Sequence, residues 1–155
     1  MDLALLRLLR TRGHWPPLER AARALAAAGE QGLIWHAIAA AGFAVDRNPA
    51  YLRAMRIVLV ALIANTAVKQ VVRRPRPELG PDLPPLAPTL SGRSYPSAHA
   101  ATSFAAAGAL GRALPSSPLY AAAGAMALTR PYLGVHYPSD VVAGAFLGAA
   151  IEKLL

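Results

Sequence analysis

From Thr129 to Asp140 the chain reads TRPYLGVHYPSD, a charged, proline-bearing stretch set between two segments built almost wholly of alanine, glycine and aliphatic residues. That contrast constrains the fold more than any other feature. The apolar segments on either side read as helices. An arginine, a histidine and an aspartate between them belong where one helix ends and the next begins, away from hydrocarbon. Pro138 suits the first turn of the second helix, so His136 falls just before that helix and Asp140 just inside it. Arg130 can hold an anion in a bidentate way. Asp140 can take one ring nitrogen of His136, fixing the tautomer and leaving the other nitrogen free to attack.

The same alternation runs along the chain. Apolar segments near 31–45, 50–68, 97–113, 118–130 and 138–155 predict about five membrane-crossing helices. The first is short against the roughly 20 apolar residues that a bilayer asks for. Composition supports the reading, with 15% charged residues and 55% hydrophobic ones, where a soluble domain carries about 25% charged. The expectation is an all-α integral membrane helix bundle forming one domain over 1–155, with interfacial amphipathic helices over 1–29 and the bundle over 30–155. In 1–12, Leu5, Leu6, Leu8 and Leu9 are predicted to share one face with Arg7 and Arg10 opposite, a helix lying on the membrane surface. Residues 18–29 form a second such helix, and Trp15 between the two suits the headgroup level. His36 is expected as a hydrogen-bonded packing histidine and Asn65 as helix–helix glue. Gly144 and Gly148, four residues apart, predict a close helix approach and favour homo-oligomers if their face lies outward.

The net charge of +8 fits anionic headgroups and positive-inside anchoring. It lacks the interleaved aromatic residues of a single-strand nucleic-acid binder, so no nucleic-acid partner is expected. The chain has no cysteine, which excludes disulfides and zinc–thiolate sites.

Two further polar stretches complete a constellation. Lys69 opens KQVVRRPRP at the end of the second apolar segment, and YPSAH, Tyr95 to His99, opens the third. An up-and-down path puts Lys69, the proline-rich loop over 73–97, His99 and the 130–137 loop on one side of the bundle. Lys69, Arg76 and Arg130 then supply positive charge without a metal. Ser97 caps a helix whose first amides, beginning at Ala98, face an anion. His99 is the candidate general acid, and His136 the candidate nucleophile, held by Asp140. Such a set suits phosphate-ester hydrolysis through a phosphohistidine on His136, followed by attack of water with His99 as base. Each motif alone is weak; three in order, at equivalent ends of apolar helices, are not.

These residues resemble the type 2 phosphatidic acid phosphatase (PAP2) family, which shares its site with vanadium haloperoxidases. The family pattern is Lys-x6-Arg-Pro, then Pro-Ser-Gly-His, then Ser-Arg-x5-His-x3-Asp. It corresponds here to Lys69 through Arg76-Pro77, Pro96-Ser97-Ala98-His99, and Thr129-Arg130 through His136 to Asp140. Ala98 stands in place of glycine and Thr129 in place of serine. The resemblance covers about 50–155. It implies a metal-independent lipid phosphatase of the cell membrane, with no cofactor and with phosphate or vanadate as active-site ligand or inhibitor. Within the family, ARALAAAGE, the run from Tyr95 to Thr102 and LGVHYPSD resemble the actinobacterial branch acting on polyprenyl-linked phosphoribose. Phosphatidate, phosphatidylglycerol phosphate and undecaprenyl diphosphate are alternative substrates. A haloperoxidase or a non-catalytic lipid-binding protein are the rival readings.

Overall fold

The computed structural model describes residues 2–155. Seven α-helices and one 3-10 turn, Glu30–Gly32, account for the regular structure among them: α1 Asp2–Thr11, α2 Pro16–Ala28, α3 Leu33–Asp46, α4 Pro49–Val72, α5 Ala98–Leu110, α6 Ser116–Tyr132 and α7 Pro138–Leu154. The boundaries follow local chemistry. Pro16, Pro49 and Pro138 sit in first turns, where a missing N–H costs nothing. Asn48 caps α4 by accepting from the Ala50 amide at 2.9 Å. Arg47 and Arg73 close α3 and α4 in the left-handed region.

α5 is the axle. Ten of its thirteen side chains are buried, and α4, α6 and α7 pack around it. This is possible because α5 and α7 are faced with small residues. A Cβ on Gly144 would run into the Ser97 carbonyl, and one on Gly148 into the Ala101 carbonyl. The glycine pair therefore serves packing within the chain, letting two helix backbones nearly touch.

The outside of the bundle is apolar. Leu52, Leu59 and Ile63 on α4, Leu128 on α6, and Val142 and Phe146 on α7 are all exposed. Exposed apolar area on this scale marks a lipid-facing or partner-facing surface. Of the expected spans, only α4, at 24 residues, is both long and apolar enough to cross a bilayer by itself. α3 and α5 have 14 and 13 residues, about 20 Å at 1.5 Å per residue, and α6 and α7 have 17 each.

One expectation for α1 is reversed. Leu6 and Arg10 are buried, while Leu3, Leu5 and Leu8 are exposed. α1 lies against α6 and α7, so its Leu6–Arg10 face turns inward. Arg10 tolerates that position because its guanidinium donates to the Pro84 carbonyl at 2.8 Å. Gly134, at φ +76°, leaves room for it; a Cβ there would stand 2.7 Å from Arg10 Nε. His36 is half-buried and makes no side-chain hydrogen bond among the described residues.

Candidate active site

The three polar stretches meet at one end of the bundle around a cavity of about 640 Å³. Its wall includes Lys69 from the last turn of α4, Arg76 from the long loop, Ala98 and His99 from the first turn of α5, Arg130 from the last turn of α6, and His136. Ser97 and Asp140 are fully buried behind that wall. All eight candidate residues are thus brought to one place, six on the cavity surface and two beneath it.

His136 ends the turn that joins α6 to α7. Asp140 sits in the first turn of α7, where its Oδ2 accepts from the Tyr137 amide at 2.9 Å and closes a capping box. The same oxygen faces His136 Nδ1 at 3.5 Å, a long contact. On the other side of the ring, Arg76 Nη1 lies 3.1 Å from His136 Nε2 and donates to the Val135 carbonyl at 2.6 Å. A guanidinium can only donate, so Nε2 is the acceptor and the ring proton belongs on Nδ1, toward Asp140. Burial pushes the His136 imidazole down to about 3. The Asp140 carboxylate opposes that shift, whereas Arg76, Arg130 and Lys69 add to it. The result is a neutral imidazole whose lone pair points among three cations.

The cations are held differently. Lys69 Nζ donates to the Pro96 carbonyl at 2.7 Å and to Ser94 at 3.2 Å, so it also fastens the end of the loop. Arg76 Nε donates to the Ser91 carbonyl at 2.7 Å. Arg130 is 3% exposed, and its Nε has no partner among the described residues. An orphaned buried guanidinium nitrogen on a cavity wall is a seat for an anion.

At the start of α5, Ser97 Oγ accepts from the Ala100 amide at 3.4 Å and caps the helix, while the Ser97 amide donates to the Asp140 carbonyl at 2.9 Å. Ser97 Oγ thus serves as the helix cap while its O–H keeps a proton to donate, and the amides of Ala98 and His99 are further open donors of that first turn. His99 Nε2 bonds the Ala26 carbonyl of α2 at 2.8 Å. Since a carbonyl accepts, the His99 proton rests on Nε2, and Nδ1 is left for proton exchange.

Sequence reasoning missed Arg74. Its Nη1 donates to Asp140 Oδ1 at 2.9 Å and its Nη2 to Asp2 Oδ2 at 2.8 Å, while its guanidinium lies 3.8 Å over the Tyr137 ring. Asp2 also accepts from the Ser139 amide at 3.1 Å and from the Ser139 hydroxyl. The Asp2 carboxyl lies below its usual range. Burial raises it, but the bonds from Ser139 and Arg74 outweigh that. The only available signal for Arg74 was its place in KQVVRRPRP, where it looks like any other basic loop residue. Glu30, the Ala26 carbonyl and the Asn65 bond to the Pro96 carbonyl at 3.2 Å were likewise unforeseen.

Comparison with known proteins gives the constellation a context. The PAP2 superfamily model matches residues 50–155. The decaprenylphosphoryl-5-phosphoribose phosphatase of Mycolicibacterium smegmatis is 40% identical over 133 residues, covering 83% of this chain and 72% of that one. Its counterpart from Mycobacterium tuberculosis H37Rv is 38% identical over 142 residues, covering 90% and 80%. Among solved structures, Aquifex aeolicus LpxE superposes with a TM-score of 0.84 at 24% identity, over 99% of this chain and 93% of that one. The PAP2-type phosphatidylglycerolphosphate phosphatase of Bacillus subtilis superposes at 0.76 and 24% identity, over 99% and 81%. At such identity these two speak to the fold alone.

Proposed function

The chain belongs to the PAP2 superfamily and is a phosphatase, and on that premise we propose that it hydrolyses the phosphate monoester of a polyprenylphosphoryl phosphoribose without a metal, through a phosphohistidine on His136. The observation that carries this reading is the neutral His136 ring, with Nδ1 turned to Asp140 and Nε2 among Arg76, Arg130 and Lys69. The substrate class rests on the two relatives at 38–40% identity.

The steps follow from that geometry. The phosphate oxygens lie against Arg130, Arg76, Lys69 and the amides of Ala98 and His99, where charge is neutralised without reorganisation. Arg76 Nη1, which donates to His136 Nε2 in the free site, turns to a phosphate oxygen, and the Nε2 lone pair so released attacks phosphorus as the bond from phosphorus to the ribose ester oxygen breaks. The imidazolium formed is stabilised by Asp140 across Nδ1–H. His99 Nδ1, unprotonated in the free site, takes a proton from the monoanionic phosphate as it binds and gives it to the departing alkoxide. The now neutral Nδ1 takes a proton from water, which attacks the phosphohistidine, and inorganic phosphate leaves.

α3 to α7 cross the membrane together in this reading, the short helices lodged beside α4 with their apolar faces outward, and α1 and α2 lie at the interface. The exposed Leu3, Leu5, Leu8 and Trp15 support that placement. A halide-oxidising role with vanadate is a weaker alternative; the identity to lipid-phosphate phosphatases favours hydrolysis.

The test is phosphate release in detergent with EDTA present. The lipids are a polyprenylphosphoryl phosphoribose, phosphatidate, phosphatidylglycerol phosphate and a polyprenyl diphosphate. Release from the first should exceed the others and persist in EDTA, and His136→Ala should lower kcat by at least about 10³-fold. Wild type quenched in alkaline detergent should yield a phosphoryl adduct that survives base and is lost on acid treatment. Turnover that requires added metal, or that survives His136→Ala, would sink the mechanism.

A further inference from the structure

Among the described residues one carboxylate, Glu30, lines the cavity, and it has no place in the chemistry just described. Glu30 begins the single 3-10 turn, Glu30–Gly32, between α2 and α3, and it lines the same cavity as Arg76, Arg130 and His136. No ion pair or side-chain hydrogen bond holds its carboxylate among the described residues. A carboxylate there works against the site's first task, since it repels the phosphate that the cations attract. Phosphate binding alone gives no reason for it.

The turn that carries Glu30 is built rigidly and at a cost. Gln31 is at φ +51° and Gly32 at φ +78°, two consecutive left-handed residues, the first of them bearing a side chain. Gly32 is wedged between helices: a Cβ there would stand 2.8 Å from Val58 Cγ1 on α4 and 3.3 Å from Thr102 Cβ on α5. The turn is thus seated between the two helices nearest the site, and Glu30 and Gln31 both reach the cavity from it. A cavity of about 640 Å³ falls in the range of pockets that hold whole small molecules, about 300–1,000 Å³. Room for more than a phosphate therefore exists beside the cations, and a polar acceptor stands at its edge.

We infer that Glu30 is a second recognition element, accepting hydrogen bonds from hydroxyl groups of the sugar that carries the scissile phosphate. This rests on the polyprenylphosphoryl phosphoribose reading above. A carboxylate is an acceptor with no donor of its own, so it selects for hydroxyl-bearing carbon next to the phosphate and against esters that offer none. A site built around such a bond discriminates strongly, because a substrate lacking the hydroxyl leaves the acceptor unpaired. Glu30 thereby trades some general phosphate affinity for choice among lipids.

The experiment compares wild type with Glu30→Ala and Glu30→Gln on three lipids in one detergent: the polyprenylphosphoryl phosphoribose, its 2,3-dideoxy analogue and phosphatidate. The expected result is a fall of about 10- to 100-fold in kcat/KM on the hydroxylated lipid for Glu30→Ala, and a smaller fall for Glu30→Gln, which keeps one acceptor. On the dideoxy lipid and phosphatidate both variants should equal or exceed wild type, which also shows that they are folded. Equal losses on all three lipids would overturn the inference, because Glu30 would then serve structure. Equal gains on all three would overturn it too, because Glu30 would then be only a counter-ion to Arg76 and Arg130. Wild-type turnover of phosphatidate but not of the phosphoribose lipid would overturn the substrate reading itself, and the role of Glu30 with it.

Discussion

Two helices begin at the cavity with nearly the same letters, α5 from Pro96-Ser97-Ala98-His99 and α7 from Pro138-Ser139-Asp140, yet they do opposite electrostatic work. The start of α5 is an acceptor of negative charge. Its serine caps the helix, its next amides are open, and the Pro96 carbonyl before it is tied down by Lys69 at 2.7 Å and Asn65 at 3.2 Å. The start of α7 is a source of negative charge. Its third residue, Asp140, turns one oxygen to its own helix cap and to His136, and the other to Arg74. The Ser97 amide bonded to the Asp140 carbonyl at 2.9 Å joins the two starts. A helix start therefore has no fixed role; the side chains of its first turn decide whether it receives the substrate or orients the nucleophile.

If that division is right, removing the fastener of each start should hurt in different ways. Arg74→Ala leaves Asp140, which is fully buried, without its ion partner. The Arg74 side chain is itself 30% exposed, so the loss is that of an unsatisfied buried acceptor, about 1–3 kcal/mol, and an unsecured Asp140 lets the His136 ring wander. We expect kcat to fall about 30-fold with KM nearly unchanged, alongside a lower melting temperature in detergent. Arg74→Lys should recover part of the stability and less of kcat, since lysine cannot bond Asp140 and Asp2 at once in a planar fork. Asn65→Ala, at the other start, removes one neutral bond to a carbonyl that Lys69 still serves. That should cost about 1 kcal/mol and change kcat by less than about threefold. Similar kinetic losses in the two variants would break the comparison.

The spacing of the two starts offers a second, smaller test. Gly148→Ala drives a methyl group into the Ala101 carbonyl on α5. Overpacking of this kind costs about 1–3 kcal/mol, and it moves α7 relative to α5, so melting temperature and kcat should fall together. Gly124→Ala is the control. It lies inside α6, where an added methyl meets nothing within 4 Å, and it should stabilise by about 0.5–1 kcal/mol with activity unchanged. A neutral Gly148→Ala would mean that α5 and α7 are not held at backbone contact.

The sequence announced the residues of both starts better than what fastens them. Lys69, His99, Arg130 and His136 were legible because each sits near an end of an apolar segment, and Arg76 because it follows Lys69 in the same polar stretch; an alternating path gathers such ends without any knowledge of packing. What fastens the α7 start was not legible, because the Arg74–Asp2 pair spans 72 positions and neither residue breaks a local pattern. The side of α1 was misjudged for a related reason. Periodicity groups leucines, but α1 packs on α6 and α7, and a buried carbonyl at Pro84 gives Arg10 a reason to turn inward. The count of spans was blurred because α5 is apolar as a central packing helix, nearly all of it buried, and a buried core helix and a short membrane span read alike.

A pH-dependent effect follows from the charge contrast itself. Burial, reinforced by Arg76, Arg130 and Lys69, holds His136 down near 3, whereas an unfolded histidine titrates near 6.5. Between those values the unfolded chain carries a proton that the folded one does not, so stability rises with pH there. The contribution of this ring is complete above pH 6.5 and is lost as pH falls from 6.5 toward 3. Taken only as far as pH 5, the loss is about 2 kcal/mol, and that figure depends only on the ring staying neutral at pH 5. His136→Asn should remove this component, so its melting temperature should fall less than that of wild type between pH 8 and pH 5 in phosphate-free detergent. Added phosphate should shrink the wild-type dependence, because an anion against the three cations lets the imidazole accept a proton. Parallel curves for the two proteins would mean that His136 is protonated in the folded state by pH 5, and that the cations around it do not keep the ring neutral.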